Sequence, residues 1–477
     1  MKSISTLIIS ASLCLFSVAA SAQTRDYNIK RFGAKADDKT INTKAIQQAI
    51  DQCNANGGRV IIPAGVFLSG SLQLKDNVNI YLEDGAILKG SADMKDYAAI
   101  DKNAKSPHHA FLSAENASHI TISGKGTING NGLSQTFQFG DDSGPLGSNG
   151  RPMLIHMSDC KDIAVEDLHL ENSAYWMQKY IGCENVHLNK LTIYNHANYN
   201  NDGFDIDSKN VLIENCTVDS DDDGLCLKSE DASKPCENVT IRNCTVASNC
   251  NGIKFGTASR GGFRNINISN ITIKKASEDR IRHWQKGLKF IDQPITVLSG
   301  IAVENVDGGL TDNVNISNIW MTDVQTPIFI KLGNRNAAKK PGADPGHLRN
   351  VTISNVTAES HSKMTSSITG IPGHDVENVV LSNIHILAMG AGTAQDARIN
   401  PTENAMGYPE NRMFGQVLPA GGLFVRHVNG LSLLNCTWQA RQSDERPVVL
   451  LSDVKNVHHE LLRAEGFSDN QQIVQGK

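Results

Sequence analysis

Short runs in which Val, Ile or Leu alternate with polar residues recur through the chain, each framed by asparagines. One reads Asn185-Val186-His187-Leu188-Asn189. The pattern returns at Asn210–Asn215, Asn238–Asn243, Asn265–Asn270, Asn313–Asn318, Asn350–Asn355 and Asn378–Asn383, and more loosely at Leu431–Asn435. Alternation at period two predicts half-buried strands. The closing Asn advances by 26, 28, 27, 48, 37, 28 and 52 residues, and 48 and 52 are each nearly two periods. A period in the twenties predicts a β-solenoid, because one coil cannot bury its own apolar face but stacked coils can. Asn accepts the left-handed turn conformation, and its amide can bond the next Asn along a stack. The expected fold is all-β: a single-stranded, right-handed parallel β-helix.

An open solenoid end needs a cap. Thr43 to Ala55 places Ala45, Ile46, Ala49, Ile50 and Cys53 at helical spacing. Asn42 is the expected N-cap and Gly57-Gly58 the stop, so a short N-terminal helix closes the coil stack. The cap region is expected over residues 23–70 of a single domain, 23–477. Three segments break the rhythm: Phe137 to Gly150, Ala276 to Leu298, and residues 389–417. Long insertions in a solenoid either shape a binding groove on one face or are inert loops.

Composition adds compartment. Lys2, the apolar run Leu7 to Ala19 and the small residues Ala20-Ser21-Ala22 read as an export signal over residues 1–22. That predicts a periplasmic or extracellular protein. The formal charge of -5 and the absence of a long apolar span lead to no expected nucleic-acid or membrane partner. A monomer is expected. Nine cysteines follow the signal, and an odd number argues against a complete disulfide framework. Cys216 and Cys244 occupy equivalent places in adjacent repeats, as small buried residues would.

Candidate chemistry lies in three stacked tetrapeptides: Asp202-Gly203-Phe204-Asp205, Asp223-Gly224-Leu225-Cys226 and Asn251-Gly252-Ile253-Lys254. Gly224 and Gly252 each lie nine residues past a repeat Asn, and Gly203 lies fourteen past one. Asp202, Asp223 and Asn251 are therefore expected in one column, with Asp222 beside Asp223. Glycine there permits a bend or close approach by a ligand. Neighbouring carboxylates repel, which raises at least one pKa and suits acid/base chemistry. The same residues with Asp221 are also compatible with a calcium site or a solvated acidic turn.

The segment Asn200-Asn201-Asp202-Gly203-Phe204-Asp205-Ile206 resembles the Asn-Thr-Asp-Gly-Phe-Asp-Ile signature of glycoside hydrolase family 28, the polygalacturonases and their relatives. Asp222-Asp223 with Leu227-Lys228-Ser229 resembles that family's Asp-Asp segment, and Gly124 to Gly132 its first complete coil. Tyr27 to Gly65 resembles the N-terminal segment of many pectin-degrading β-helices. The resemblance implies an inverting hydrolase of pectic polysaccharide that needs no metal or organic cofactor. It implies Asp222 as general acid, and Asp202 and Asp223 as holders of the attacking water.

Two motifs depart from the family. Where its members have Gly-His-Gly, this chain has Cys250-Asn251-Gly252, and Asn cannot take up a proton. His196 is either a spatial substitute or a surface turn residue. Where members have Arg-Ile-Lys, the register gives Ser299-Gly300-Ile301-Ala302-Val303-Glu304, without a cation. Arg280-Ile281-Arg282 has similar letters out of phase. Lys254 is thus the first expectation for binding a substrate carboxylate, ahead of Arg282, with Lys228 nearby and Asn251 as a polar contact. Trp176, next to Tyr175, is either a sugar-stacking platform or core. These departures leave homogalacturonan and rhamnogalacturonan both open as substrates. Two other classes remain compatible with the fold: a polysaccharide lyase and a non-catalytic glycan-binding solenoid.

Overall fold

The computed structural model describes residues 25–100, 108–138, 150–278, 289–293, 297–468 and 473–475. The export-signal segment, most of the Phe137–Gly150 loop and Arg282 lie outside the described residues. The chain forms the parallel β-helix that the repeat predicts. Among the described residues every pairing between strands is parallel, each coil bonding the one before and the one after. One run of register reads Lys179 to Asp205, Asp205 to Cys226, Cys226 to Lys254 and Lys254 to Ala302. Alternate side chains point inward and build one continuous core along the axis, from Ile29 to Phe467. No helix among the described residues is long and apolar enough to cross a membrane.

The asparagines do what their chemistry suggests. Asn215, Asn243, Asn270 and Asn318 all adopt left-handed φ between 56° and 57°. Asn270 Nδ2 donates to Asn243 Oδ1 at 3.1 Å, and Asn318 Nδ2 donates to Asn270 Oδ1 at 3.1 Å. A second ladder runs through Asn210, Asn238 and Asn265, with steps of 3.0 and 3.1 Å. The 48- and 52-residue intervals are each one coil with an insertion, which corrects the reading of them as nearly two periods. Asn318 bonds Asn270 directly, and Asn435 Nδ2 donates to Asn383 Oδ1 at 2.8 Å. Counting along the sequence could not separate an extra coil from a loop leaving and rejoining one coil.

The capping helix spans Thr43–Asn56 and buries Ile46, Ala49, Ile50 and Cys53. Asn42 precedes it but makes no side-chain cap bond. Its carboxamide instead accepts from Lys35 N at 2.7 Å and donates to Lys35 O and Leu68 O, tying the preceding loop to the first coil. All nine described cysteines are free thiols, and only Cys250 is not fully buried.

Residues 389–417 fold back onto the sheet face that carries Lys254. Asn411 Nδ2 donates to Leu298 O at 2.9 Å, and Arg426 donates to Pro401 O at 2.6 Å. Phe414 packs with Leu418, Ala420 and Phe424, and covers Lys331 Nζ at 5.4 Å from its ring. These contacts fix the segment as a docked loop rather than a free one, and it carries Tyr408 towards the stacked tetrapeptides.

Candidate active site

The glycine column sets the site. Phe204 pairs with Leu225, Leu225 with Ile253 and Ile253 with Ile301, so Asp202, Asp223, Asn251 and Ser299 share one register position. The glycines are required by packing within the coil stack. A Cβ on Gly203 would lie 2.5 Å from the Val218 side chain, and one on Gly224 would lie 2.3 Å from Val246. The close approach at these positions therefore comes from neighbouring coils. The extra residues before Asp202 form a buried turn. Asn201 Nδ2 donates to Tyr175 O at 2.7 Å, and Asn195 Nδ2 donates to Asp202 O at 2.9 Å.

The carboxyl groups meet as the register demands. Carboxylate oxygens of Asp202 and Asp223 lie within 4.8 Å of each other, as do those of Asp222 and Asp223. Asp222 is half-buried, whereas Asp202 and Asp223 are buried. Asp223 N donates to Asp222 Oδ1 at 2.9 Å, which holds the Asp222 side chain against the Asp223 backbone.

Their proton affinities are driven apart. Burial, and then the charge of Asp223, push Asp222 up to about 7. Burial and the charges of Asp205 and Asp222 raise Asp202 well above the usual carboxylate range. Burial opposes ionisation of Asp223 as well, but Lys254, Lys228 and the Asn251 amide outweigh it and hold the group below its ordinary value. Ionisation is thus favoured at Asp223 and disfavoured at the two carboxyls beside it, a split that suits acid/base chemistry.

Each predicted binding residue has a definite place. Asn251 Nδ2 donates to Asp223 Oδ1 at 2.7 Å, so its amide is directed at a carboxylate of the cluster. Lys254 is only 3% exposed, with Nζ 3.4 Å from Asp223 Oδ2 and 4.0 Å from Glu304 Oε2. Its ammonium group is thus buried between two acidic side chains of the protein, which corrects the expectation that it is the first cation for a substrate carboxylate. Lys228 Nζ lies 3.0 Å from Asp205 Oδ1 and 3.9 Å from Asp202 Oδ2. Trp176 is half-buried, stacked on Tyr175 at 4.7 Å, with Lys179 Nζ and Lys228 Nζ 4.8 and 5.1 Å from its ring. It also packs against the buried cluster of Ala110, Met153 and Tyr175. His196 is 2% exposed, which corrects its reading as a surface residue. Its Nε2 lies 2.7 Å from Asp219 Oδ1 and its Nδ1 4.0 Å from Asp221 Oδ1. Asp221 accepts from Asn249 Nδ2 at 3.2 Å.

A cation would find the cluster already neutralised. Of the three groupings with ligand spacing among the described residues, the two at this cluster, Asp202–Asp223–Cys226 and Asp222–Asp223–Cys250, each include a thiol. Calcium takes oxygen ligands, and the ammonium groups of Lys228 and Lys254 supply the countercharge to Asp202 and Asp223. The donor set therefore does not fit the calcium site that the acidic letters allowed.

Four participants escaped sequence reasoning. Asp205 and Lys179 had a usable signal, since they sit in the same register column as Lys254. Glu304 lies on the coil after Lys254, where only the missing cation drew attention. Tyr408 had no local signal. Its ring centroid stands 5.6 Å from Lys254 Nζ, and the residue is 58% exposed.

The model of glycosyl hydrolases family 28 matches residues 53–406. An exo-poly-alpha-D-galacturonosidase of Dickeya chrysanthemi is 24% identical over 435 residues, covering 77% of this chain and 68% of that protein. A probable rhamnogalacturonase A of Aspergillus oryzae is 29% identical over 233 residues, covering 47% of this chain and 46% of that protein. The crystal structure of an exopolygalacturonase from Thermotoga maritima superposes with a TM-score of 0.61 at 19% identity, over 91% of this chain and 92% of that one. The matched span contains all three stacked tetrapeptides, and the chain belongs to glycosyl hydrolases family 28.

Proposed function

We propose that the protein hydrolyses galacturonic-acid-containing pectic polysaccharide with inversion at the anomeric carbon. The observation that carries this reading is the stacking of Asp202 and Asp223 in one column with Asp222 beside them, the carboxylate oxygens of Asp202 and Asp222 each within 4.8 Å of Asp223. It is supported by the raised proton affinity of Asp222 and the lowered one of Asp223. Asp222 protonates the leaving glycosidic oxygen. Ionised Asp223 accepts a proton from the attacking water, and Asp202, within 4.8 Å of it, holds that water in place. The Asp222 and Asp223 oxygens also lie within 4.8 Å, closer than the roughly 6.5–9.5 Å usual for an inverting pair, so the inversion is taken from the family resemblance and not from the carboxyl spacing. The galacturonosidase and rhamnogalacturonase names of its relatives support the substrate class.

Asn251 and Lys254 act through Asp223, keeping it ionised. Lys228, whose Nζ lies 5.1 Å from the Trp176 ring, attracts the uronate carboxylate while the indole stacks on a sugar face. The docked 389–417 loop closes one end of the groove and favours release of short products from a chain end. Residues 1–22 direct export, and the enzyme meets its polymer as a monomer outside the cytoplasm.

A product screen on homogalacturonan and rhamnogalacturonan fragments tests the reading, with the anomer followed by NMR. The reading expects a saturated product that first appears with inverted configuration. An unsaturated sugar that disappears with a chelator would instead identify a lyase. Glycan binding without cleavage of any fragment would identify a binding solenoid. A ladder of intermediate lengths from a long polymer would refute attack at a chain end.

A further inference from the structure

Glu304 is a titratable group at the site to which the proposed reaction gives no task. It lies on the strand Val297–Asn305 and is 1% exposed. Its Oε2 has no hydrogen-bond partner among the described residues, and that same atom is the one 4.0 Å from Lys254 Nζ. A buried carboxylate without a hydrogen bond is costly, so such a site favours the neutral acid. Lys254 thus has an anion, Asp223, at 3.4 Å on one side and the Glu304 carboxyl on the other, with the Tyr408 ring over it.

We propose that Glu304 is a positioning residue that holds Lys254 against Asp223 while itself carrying a proton. In that state it fills the space behind the ammonium group without competing for its charge. The whole field of Lys254 then falls on Asp223 and keeps that carboxylate ionised as the base. Burial and the charge of Asp223 push Glu304 up to about 8, against the pull of Lys254 and the weaker pulls of Arg335 and Lys228. The register explains why the pair can meet. Lys254 pairs with Ala302, and after Val303 the sequence places Glu304 two residues on, on the same face of the next coil.

The role assigned here rests on the hydrolase reading, but one arm of its test does not. Glu-selective carboxyl labelling and NMR titration of the folded protein report the Glu304 proton whatever the activity. Loss of one resonance in Glu304→Gln assigns it. The inference expects that carbon to titrate at about 8, far above an ordinary Glu; titration in the ordinary range overturns it.

The kinetic arm compares two variants on whichever fragment the wild type cleaves. Glu304→Gln mimics the neutral acid and is expected to keep kcat within about twofold at mildly acidic pH. Glu304→Ala frees Lys254 and is expected to lower kcat about tenfold, with KM within about twofold and the acidic limb of kcat/KM moved to higher pH. A Gln variant as impaired as the Ala variant would show that the ionised form is needed. An Ala variant with the wild-type pH profile would show a merely space-filling residue. A wild type inactive on every fragment would sink the hydrolase reading and leave the titration result standing.

Discussion

Replacing Asp222 with Asn separates chemistry from stability at one atom. The raised proton affinity means that folding favours the protonated side chain. The sign follows from the two states. Unfolded Asp222 ionises near 3.8 and folded Asp222 near about 7, so its contribution is fully present below the lower value. That contribution is lost progressively as pH rises through the upper one. The gap between those two values corresponds to about 4 kcal/mol between the limits. The carboxamide of Asp222→Asn cannot ionise, and its carbonyl can still accept from Asp223 N, a bond of 2.9 Å in the wild type. The variant is therefore expected to match wild-type stability at about pH 4 and to exceed it by up to ~4 kcal/mol at about pH 8. Its turnover is expected to fall ~10²–10⁴-fold, the range lost with a general acid. Urea midpoints at the two pH values read the first effect, and product release from a pectic fragment reads the second. Equal destabilisation at both pH values would refute the electrostatic account. Wild-type turnover would refute the assignment of Asp222 as the acid.

Three further outcomes are expected. The pH dependence of kcat/KM should fall as pH rises through about 7, because ionised Asp222 no longer has a proton to give; a flat profile to about pH 9 would contradict this. Asn270→Ala should cost roughly 2–3 kcal/mol in urea denaturation, through lost left-handed preference and two broken ladder bonds. Asn270→Gly, free of the backbone penalty, should recover about half of that loss, and equal losses in both variants would place the whole effect in the ladder bonds. Trp176→Ala should raise KM for a galacturonate oligomer by roughly tenfold with little change in kcat, as removal of a stacking platform does; an unchanged KM would assign the indole to packing alone.

Much of the molecule is legible as a line of letters because a solenoid is nearly one-dimensional. The strands follow from alternation and the coil from the period. The ladder follows from Asn, whose left-handed turn and side-chain bonds are local properties. The column of Asp202, Asp223 and Asn251 follows from counting to the glycines, since equal positions in successive coils must stack. Asn42 is the N-cap residue as its place in the sequence suggests, but its side chain turns to other partners, here the backbone of Lys35 and Leu68.

What the letters could not settle is where a side chain goes once it leaves its strand. Lys254 is a polar residue in an alternating run, and alternation alone sends it outward to solvent or substrate. Only the next coil, with Glu304, and the docked loop, with Tyr408, turn it into a buried cation beside Asp223. The same limit hid whether 48 and 52 residues meant two coils or one, until Asn318 and Asn435 were found bonded to their predecessors. Sequence determined the coils, their order and the stacked carboxyls, because those depend on contacts at one repeated spacing. Tertiary structure decided which carboxyl keeps its proton, because that depends on burial and on charges brought from residues dozens of positions away.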